Sequence, residues 1–460
     1  MIDPLRGSIP DVRSNHLLVA GFTSAALLLA LYSGFHFHLL VLVLFAALVL
    51  LALRLPLTTC VLLLLTGVIP SVFLEIPGFP EEYGLLGWGV RAVDIVLVAM
   101  VGAAVIHVTT HGVGNKGLGL SSLLIAFGIW LSFEVARNVM TFGLSAFGEF
   151  RFRYLIVILP VYVGMFFRSS KDRRLLLIVL IVASLIIPVL SVPLIGSLKG
   201  WSFGVDSRFF HASVSLGIVA GFLSLVLARR YKLVRFPGAF YWPISVLAIL
   251  MVLVDGHRSV WLFTAVCFLT LLVWREVPWR PVLGFVIALI ALSGVLIVFS
   301  SSSLVADFFD YVVQRNQAFL DPQLDPTARW RIGIWYTLLE TIIQSPMLGE
   351  GFGGYWFIIV PGIGEITSSP HSLYIQTLVK IGAIGLVLYM AIVVKVFSIL
   401  KRALRRVEAM KGDSVLVFIG LMVLLSAHAY YFVYAFEYYS CFFVGLGMAA
   451  VSGRHSRMDQ

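Results

Sequence analysis

The stretch RLLLIVLIVASLIIPVLSVPLIG (174–196) contains no charged side chain after Arg174. A helix needs about 20 predominantly apolar residues to cross the hydrocarbon core of a bilayer, so this stretch is long enough to span it. Apolar runs of similar length recur along the chain, at 17–33, 38–53, 57–74, 91–110, 119–139, 152–168, 174–196, 211–228, 238–254, 259–274, 281–299, 372–398, 414–433 and 438–452. This pattern predicts an all-α polytopic membrane protein with about 12–14 transmembrane helices.

The composition of the 460 residues supports this class, because 60% are hydrophobic and only 12% are charged. A soluble domain carries about a quarter of charged residues, so soluble enzymes and disordered regulators are excluded. Outer-membrane barrels alternate polar and apolar residues and do not fit these runs. The three cysteines, Cys60, Cys267 and Cys441, lie far apart inside apolar runs, which predicts packing residues and not a disulfide or metal framework.

The net charge of +10 is concentrated in short loops between the predicted spans. Topology explains this distribution, so no nucleic-acid partner is expected. With the spans above, one side of the membrane carries most of the basic residues, namely Arg168, Lys171, Arg173, Arg174, Arg229, Arg230, Lys232, Arg235, Arg275, Arg280, Lys401, Arg402, Arg405, Arg406, Lys411, Arg454 and Arg457. The positive-inside rule assigns that side to the cytoplasm, which places both termini there.

The predicted architecture is a single transmembrane domain over 1–460 that contains a long extracytoplasmic loop at 300–371. Loops of this length are uncommon unless they carry structure or function. Within it, 304–320 has apolar residues at helical spacing and predicts an amphipathic helix on the bilayer surface. Asp325 followed by Pro326 predicts the N-terminus of a second helix, 329–343, and a glycine-rich turn follows at 345–356.

Cations on the predicted outer side run against the orientation bias, and Arg258 in VDGHRSVW (254–261) is the clearest case. Its side chain has two interpretations. In the first, the side chain extends to lipid headgroups. In the second, a fixed guanidinium points into a cleft, where its planar geometry suits a phosphate. The other predicted outer-side cations are Lys199, Arg208, Arg315, Arg329 and Arg331 in the loops, Arg151 and Arg153 at a span mouth, and Arg137 near the outer end of its span.

His371 in SSPHSLYIQ (368–376) is the second candidate. Ser369 resembles an N-cap and Pro370 a first helical residue, which predicts that His371 lies in the first turn of a helix. The positive end of the helix dipole would keep the imidazole neutral and able to accept a proton. A structural role for a lone histidine at a helix start remains the alternative, and Tyr374 and Gln376 on the same segment favour a functional one.

Ionisable residues inside the predicted spans are costly and are therefore candidates for function. Asp94, Glu134 and Arg137 are the main examples, and Glu134 and Arg137 are three residues apart, so they can pair on one helix face. A structural pair and a role in substrate or proton passage both remain open. The chain contains no P-loop and no clustered metal-ligand spacing, so no cofactor is expected.

Four motifs occur in an order that resembles one family. They are Arg258 in its short turn, RWRIGIW (329–335), SPMLGEGFGGYW (345–356) and PHSLYIQTLVKIGAIGL (370–386). The chain resembles the O-antigen ligase and O-antigen polymerase superfamily, the Wzy-C-like bacterial membrane glycosyltransferases. DSRFF (206–210) is similar to that family's earlier outer-face arginine, so the catalytic region is expected at 206–395. Ser372 departs from the family, in which Asn often follows the histidine.

The resemblance implies a GT-C-like helical fold and an inverting, metal-independent glycosyltransferase. It implies transfer of a glycan from an undecaprenyl-diphosphate carrier to a saccharide or lipid A-core acceptor, on the outer face of the bacterial cytoplasmic membrane. Membrane lipids and a chain-length regulator protein are the further expected partners. In this hypothesis His371 activates the acceptor hydroxyl and Arg258 and Arg208 act with it in catalysis. The expected substrate-binding residues are Arg329, Arg331, Arg137, Tyr374 and Gln376.

A transporter is the alternative from another class, either a lipid-linked sugar flippase or an ion-coupled exporter. Such a protein would use Asp94, Glu134 and Arg137 as relay groups near the middle of the bilayer. The long outer loop and its cations favour the transferase. Within the transferase reading, ligation, polymerisation and protein glycosylation differ only in the acceptor.

Overall fold

The computed structural model describes residues 37–68, 92–111, 120–143, 146, 157–199, 210–255, 257–274, 326–353, 370–405, 411–434 and 437–458. Every regular element within these ranges is a helix. The predicted spans 17–33 and 281–299, the predicted amphipathic helix 304–320 and the candidate residue Arg208 lie outside them.

The α-helices among the described residues are numbered α1 to α14. The first seven are α1 (Phe37–Arg54), α2 (Pro56–Leu63), α3 (Ala92–His111), α4 (Ser121–Phe142), α5 (Ile158–Phe166), α6 (Ser170–Ile181) and α7 (Ile187–Lys199). The second seven are α8 (Ala212–Arg230), α9 (Gly238–Asp255), α10 (Arg258–Val273), α11 (Pro326–Gln344), α12 (Leu373–Arg405), α13 (Asp413–Tyr431) and α14 (Tyr438–Met458).

Six helical segments among the described residues are long and apolar enough to cross a membrane, which confirms a polytopic membrane protein. They are Val93–Thr110, Ser121–Phe142, Ser170–Ile195, Ala212–Arg230, Leu373–Arg405 and Asp413–Tyr431. Shorter apolar helices, Gly238–Val252, Ser259–Val273 and Tyr438–Gly453, pack among them. These three helices correspond to the predicted spans 238–254, 259–274 and 438–452.

The predicted spans 38–53 and 57–74 form one bent unit, in which α1 and α2 meet at an angle of 119°. Leu55 between them has non-helical backbone angles, φ −127° and ψ 65°. The ring of Pro56 disfavours the helical conformation in the residue before it, and proline is well tolerated as the first residue of a new helix. The Leu55–Pro56 step therefore ends one helix and begins the next.

The helix at the predicted span 174–196 is longer than expected. It runs from α6 to α7 through a π-helical turn at Val182–Ile186. The turn lies just before Pro188, whose ring has no N–H and clashes with the carbonyl four residues earlier in a regular α-helix. The Ser184 hydroxyl donates to the carbonyl of Leu180 at 2.6 Å. A wider turn accommodates the proline without ending the span.

The core of the bundle is formed by α13 and α14, which pack against α5, α10 and α12. Gly420 of α13 and Gly447 of α14 face each other closely, because a Cβ built on Gly420 would lie 2.9 Å from the Cα of Gly447. Small residues of this kind let membrane helices approach and gain dispersion energy. The three cysteines are buried and unpaired, as the sequence predicted.

A buried ion pair joins α6 to α13 at the basic end of the bundle. Arg173 is fully buried and its Nη2 lies 2.7 Å from Oδ2 of Asp413. Its other nitrogen, Nη1, donates to the carbonyls of Phe167 and Arg168. The last turns of α8 and α12 carry the basic residues Arg229, Arg230, Arg402 and Arg405.

The long helix α12 is broken at Gly382, where φ is +66° and ψ is −176°. A break frees N–H and C=O groups that membrane lipid cannot satisfy. Five backbone groups around the break have partners in the turn 345–353 or in α4. The carbonyls of Val379 and Lys380 accept from the N–H groups of Glu350 (2.7 Å) and Gly351 (3.0 Å).

Three further backbone groups at the break have partners of the same kind. The Trp130 indole N–H of α4 donates to the Ile381 carbonyl at 3.2 Å. Beyond the break, the N–H groups of Ala383 and Ile384 donate to the carbonyls of Pro346 (2.8 Å) and Met347 (3.5 Å). The turn 345–353 is thus built into the helix and replaces the hydrogen bonds that the helix loses.

We expect Gly382→Ala to lower the free energy of unfolding by about 3 kcal/mol or more. A left-handed backbone alone costs a residue with a side chain about 1–3 kcal/mol, and a Cβ here would also collide with the Met347 carbonyl oxygen. Gly128→Ala is the matched control, since a Cβ there meets no heavy atom of the described chain within 4 Å. The measurement is the thermal midpoint of the purified protein in detergent; equal midpoints for the two variants would contradict the argument.

Candidate functional site

His371 lies two residues before α12 and has a left-handed backbone, with φ +46°. The prediction that Ser369 caps the helix and that Pro370 is its first residue is therefore wrong, because α12 begins at Leu373. Ser372 is next to the helix start, and its carbonyl accepts from the Gln376 N–H at 2.9 Å. Left-handed non-glycine residues persist only where their surroundings determine them, and they concentrate at functional sites.

Two aromatic rings from separate elements hold the imidazole of His371. The ring of Trp330, in the first part of α11, lies 5.0 Å from it between centroids, and the ring of Tyr434 lies at 5.3 Å. The indole N–H of Trp335 donates to the carbonyl of Pro370 at 2.7 Å. The position of His371 is therefore set by α11 on one side and by the segment after α13 on the other.

Tyr434 connects His371 to the start of α8. Its hydroxyl lies 3.3 Å from Nε2 of His211, and its carbonyl accepts from the Leu373 N–H at 3.1 Å. His211 caps α8 by accepting from the Ser213 N–H through Nδ1. An amide N–H can only donate, so the neutral His211 ring carries its proton on Nε2 and donates it to the Tyr434 hydroxyl.

His257, the residue before Arg258, is hydrogen-bonded to the segment that follows Arg208. Its Nε2 donates to the carbonyl of Phe210 at 3.0 Å, and both residues are buried. The starts of α8 and α10 are thereby held together. Arg258 is the first residue of α10, whereas Arg208 lies outside the described residues, two positions before Phe210 in the sequence.

The other predicted arginines of this end lie in α11, where Arg329 and Arg331 flank Trp330. Arg331 is half-buried, and Tyr430 lies at the end of α13. The ring of Tyr430 lies 5.2 Å from that of Tyr434. Tyr430 is fully buried, and its hydroxyl has no hydrogen-bond partner in the described part of the chain.

Glu437 adds a carboxylate that the sequence interpretation missed. It is buried before α14, and it accepts from the N–H groups of Tyr439 (3.0 Å) and Ser440 (3.2 Å). Burial raises the pKa of its carboxyl to about 7, while these hydrogen bonds act in the opposite direction. The only sequence signal was an acidic residue in a very short connection between two apolar runs.

Tyr374 and Gln376 continue from His371 into α12. The Tyr374 hydroxyl lies 2.9 Å from Nδ1 of His428 in α13, so this side chain faces α13. Gln376 is almost fully buried, and neither atom of its amide has a hydrogen-bond partner within the described ranges. A buried amide without partners is costly, which makes Gln376 the more notable of the two.

Arg137 is not joined to the His371 cluster by any hydrogen bond in the described structure. Its guanidinium binds Glu134 of the same helix, with Nη2 2.6 Å from Oε2. The same Nη2 donates to the carbonyls of Leu348 (3.2 Å) and Gly349 (3.0 Å) in the turn 345–353. The predicted pairing of Glu134 with Arg137 is observed, and it is anchored to the broken helix.

A small, open apolar cavity of about 60 Å³ lies among α5, α12, α13 and α14. Its few polar wall residues include His428, Tyr431 and Ser440, and the remaining lining is mainly aliphatic. His428 also contacts the hydroxyl of Tyr374, and Tyr374 lies three residues after His371 in the sequence. Within the described ranges, no three His, Cys, Asp or Glu side chains group closely enough to hold a metal ion.

These features define an all-helical, multi-pass membrane protein that gathers histidines, tyrosines and cationic segments at one end of its bundle. Residues 243–390 match the family model described as O-antigen ligase. The match confirms the resemblance and supports glycan transfer in general. It includes Arg258, Arg329, Arg331 and His371. A comparison with curated proteins finds no match.

We expect the stability of the protein to fall as pH rises from about 4.5 to above 7, by about 3 kcal/mol from Glu437 alone. The folded state holds the Glu437 proton more tightly than the unfolded chain, in which the carboxyl has its ordinary pKa of 4.5. Unfolding measured across pH 4–8 should show that Glu437→Gln flattens this dependence. Glu340→Gln, at an exposed position, is the control and should leave it unchanged.

Proposed function

We propose that this protein transfers a glycan from a lipid diphosphate, specifically undecaprenyl diphosphate, to a hydroxyl of a saccharide acceptor. The observation that carries the proposal is the convergence of four candidate segments on one place. Tyr434 contacts both His371 and His211, His257 ties the start of α10 to Phe210, and Trp330 brings α11 to His371. Arg258 belongs to α10, and Arg329 and Arg331 belong to α11. Arg208 precedes Phe210 by two positions in the sequence.

In the transfer step, the acceptor oxygen forms a bond to the anomeric carbon while the bond from that carbon to the diphosphate oxygen breaks. The electron pair leaves with the diphosphate, so negative charge grows on it. Guanidinium groups held in place before the reaction stabilise this charge at little reorganisation cost. Arg208, Arg258 and Arg329 are assigned to the diphosphate, and Arg331 supports them.

The acceptor hydroxyl must lose its proton as it attacks, and His371 is assigned to take it. A general base must first be correctly placed, and the rings of Trp330 and Tyr434 both contact the imidazole of His371. Opposite-side attack by the acceptor would invert the anomeric configuration. Gln376 and Tyr374 are assigned to substrate binding on the same helix.

The apolar cavity near Tyr374 supports a lipid-linked donor. A polyprenyl chain needs an apolar path that opens to the bilayer and leads its diphosphate to the cationic end of the bundle. The cavity is lined by α5, α12, α13 and α14, and its His428 edge is linked by Tyr374 to the helix that follows His371. The chain would enter there from the lipid phase.

The cellular setting follows from the same proposal. The site faces the periplasm or cell exterior of a bacterial cytoplasmic membrane, and the basic end of the bundle and both termini face the cytoplasm. A second lipid-linked unit as acceptor would make the protein a polymerase, and a lipid A-core sugar would make it a ligase. A chain-length regulator is the expected partner of a polymerase.

The transporter alternative would use Arg137 and Glu134 as mobile relay groups. Their hydrogen bonds to each other and to the turn 345–353 favour a structural role. An assay with a purified lipid-linked glycan in vesicles separates the two functions. A transferase lengthens the product or changes its acceptor, whereas a flippase moves an unaltered substrate across the bilayer.

We expect His371→Ala to reduce glycan transfer by about 100-fold or more, because a positioned general base contributes about that much. The measurement is the rate of product formation from a lipid-linked glycan by the reconstituted protein. His107→Ala serves as the control, since His107 contacts Arg168 and Phe166 instead. Full activity of the His371 variant would refute its assignment.

Arg258→Lys should lower transfer by about 10-fold or more although it keeps the charge, because lysine lacks the planar fork that binds a diphosphate through two parallel hydrogen bonds. Arg230→Lys at the exposed, opposite end of α8 is the matched control. An Arg258→Lys variant as active as the Arg230 variant would exclude a bidentate role.

A further inference from the structure

The turn 345–353 joins Arg137 of α4 to the break in α12. We call the pair Glu134–Arg137 together with the turn 345–353 the clasp. The turn supplies N–H and C=O groups to both sides of the break at Gly382, as described above. Arg137 binds the turn from the opposite side, through the carbonyls of Leu348 and Gly349.

The clasp is closely fitted, so Arg137 has little freedom to leave it. Glu134 is fully buried and accepts two hydrogen bonds from Arg137 through one oxygen, Oε2, which Asn138 also approaches at 3.3 Å. Gly351 has φ +98°, and a Cβ there would collide with the side chain of Asn138. Within the turn, the Ser345 hydroxyl donates to the Gly349 carbonyl at 3.0 Å.

The clasp lies where two site-bearing helices meet. The turn follows directly on α11, which carries Arg329, Trp330 and Arg331 near its other end. It also binds the break in α12, the helix that follows His371. Since a helix rises 1.5 Å per residue, about 20 Å of rigid helix separates Arg331 from the turn, so a small rotation at the clasp displaces the guanidinium.

We infer that Glu134 and Arg137 are positioning residues of the transfer reaction, which hold α11 and α12 in the register that brings the arginines of α11 to His371. This inference rests on the proposed function. It assigns Arg137 to the turn rather than to the substrate, because its Nη2 contacts Oε2 of Glu134 and the carbonyls of Leu348 and Gly349. The pair acts through the turn and touches no reacting atom.

The test is Arg137→Gln in the full-length protein, with Arg402→Gln as the matched control. Arg402 donates to the Ser398 carbonyl of its own helix and is exposed at the basic end. Spin labels at Tyr336→Cys on α11 and Val387→Cys on α12 report the distance between the helices. Both positions are well exposed, at 74% and 65%, and the three native cysteines are buried.

For Arg137→Gln we expect a broader spin-label distance distribution and a kcat lowered by about 100-fold, with the KM for the lipid donor within about twofold. A misplacement of about 1 Å is enough for such a loss in rate. The Arg402 variant should match the parent in all three measurements. Arg137→Lys keeps the charge but cannot hold all three acceptors in the same geometry, so a smaller change in the same direction is expected.

Three results would overturn the inference. A raised KM with an unchanged distance distribution would make Arg137 a substrate ligand. A lower yield of folded protein with normal kcat per folded molecule would make the clasp merely structural. A broader spin-label distance distribution with normal kcat would lead to the same conclusion. Should Arg137→Gln fail to accumulate, Glu134→Gln and Arg137→Lys undergo the same measurements. If the parent protein transfers no glycan, the proposed function fails, and the distance measurement alone decides whether the clasp holds the helices.

Discussion

The break at Gly382 constrains much of this architecture, because an apolar bundle leaves no solvent to satisfy free backbone groups. A helix that loses its regular hydrogen bonds inside a membrane must obtain replacements from protein. Here a glycine-rich turn and the Trp130 indole provide them. These replacement hydrogen bonds fix the turn 345–353, and the turn sets the direction of α11, which precedes it. The backbone of α12 therefore determines where the Trp330 segment lies, although the two are distant in sequence.

The opposite end of the same helices shows how a site is assembled from short connections. Tyr434 lies between α13 and α14 and yet contacts residues that precede α8 and α12. Trp330 and Tyr434 both contact the imidazole of His371, a residue whose left-handed backbone is unfavourable in isolation. The arrangement concentrates donors and titratable groups at one end of the bundle, while the charged ends of α8 and α12 occupy the other.

The sequence predicted the helical class and many of the helices, because hydrophobic length is a local property. The predicted span 372–398 corresponds to α12, and Pro326 begins α11 as expected. Other features depend on tertiary contacts. Gly382 sits in an apolar run that reads as a regular helix, and only the docked turn makes its left-handed angle favourable. Glu437 is notable because its carboxyl is buried, and the neighbouring residues in the sequence do not reveal that burial. The bend at Leu55, in contrast, had a local signal in Pro56.

The buried pair of Arg173 and Asp413 has a consequence for biogenesis. The two residues are 240 positions apart, so ribosomes complete most of the chain before the carboxylate exists. Until then the guanidinium has only the nearby carbonyls of Phe167 and Arg168 as partners. Burying a cation without its counterion is costly. The loop before α6 must therefore stay accessible to water during insertion, and its closure by α13 marks a late step in maturation.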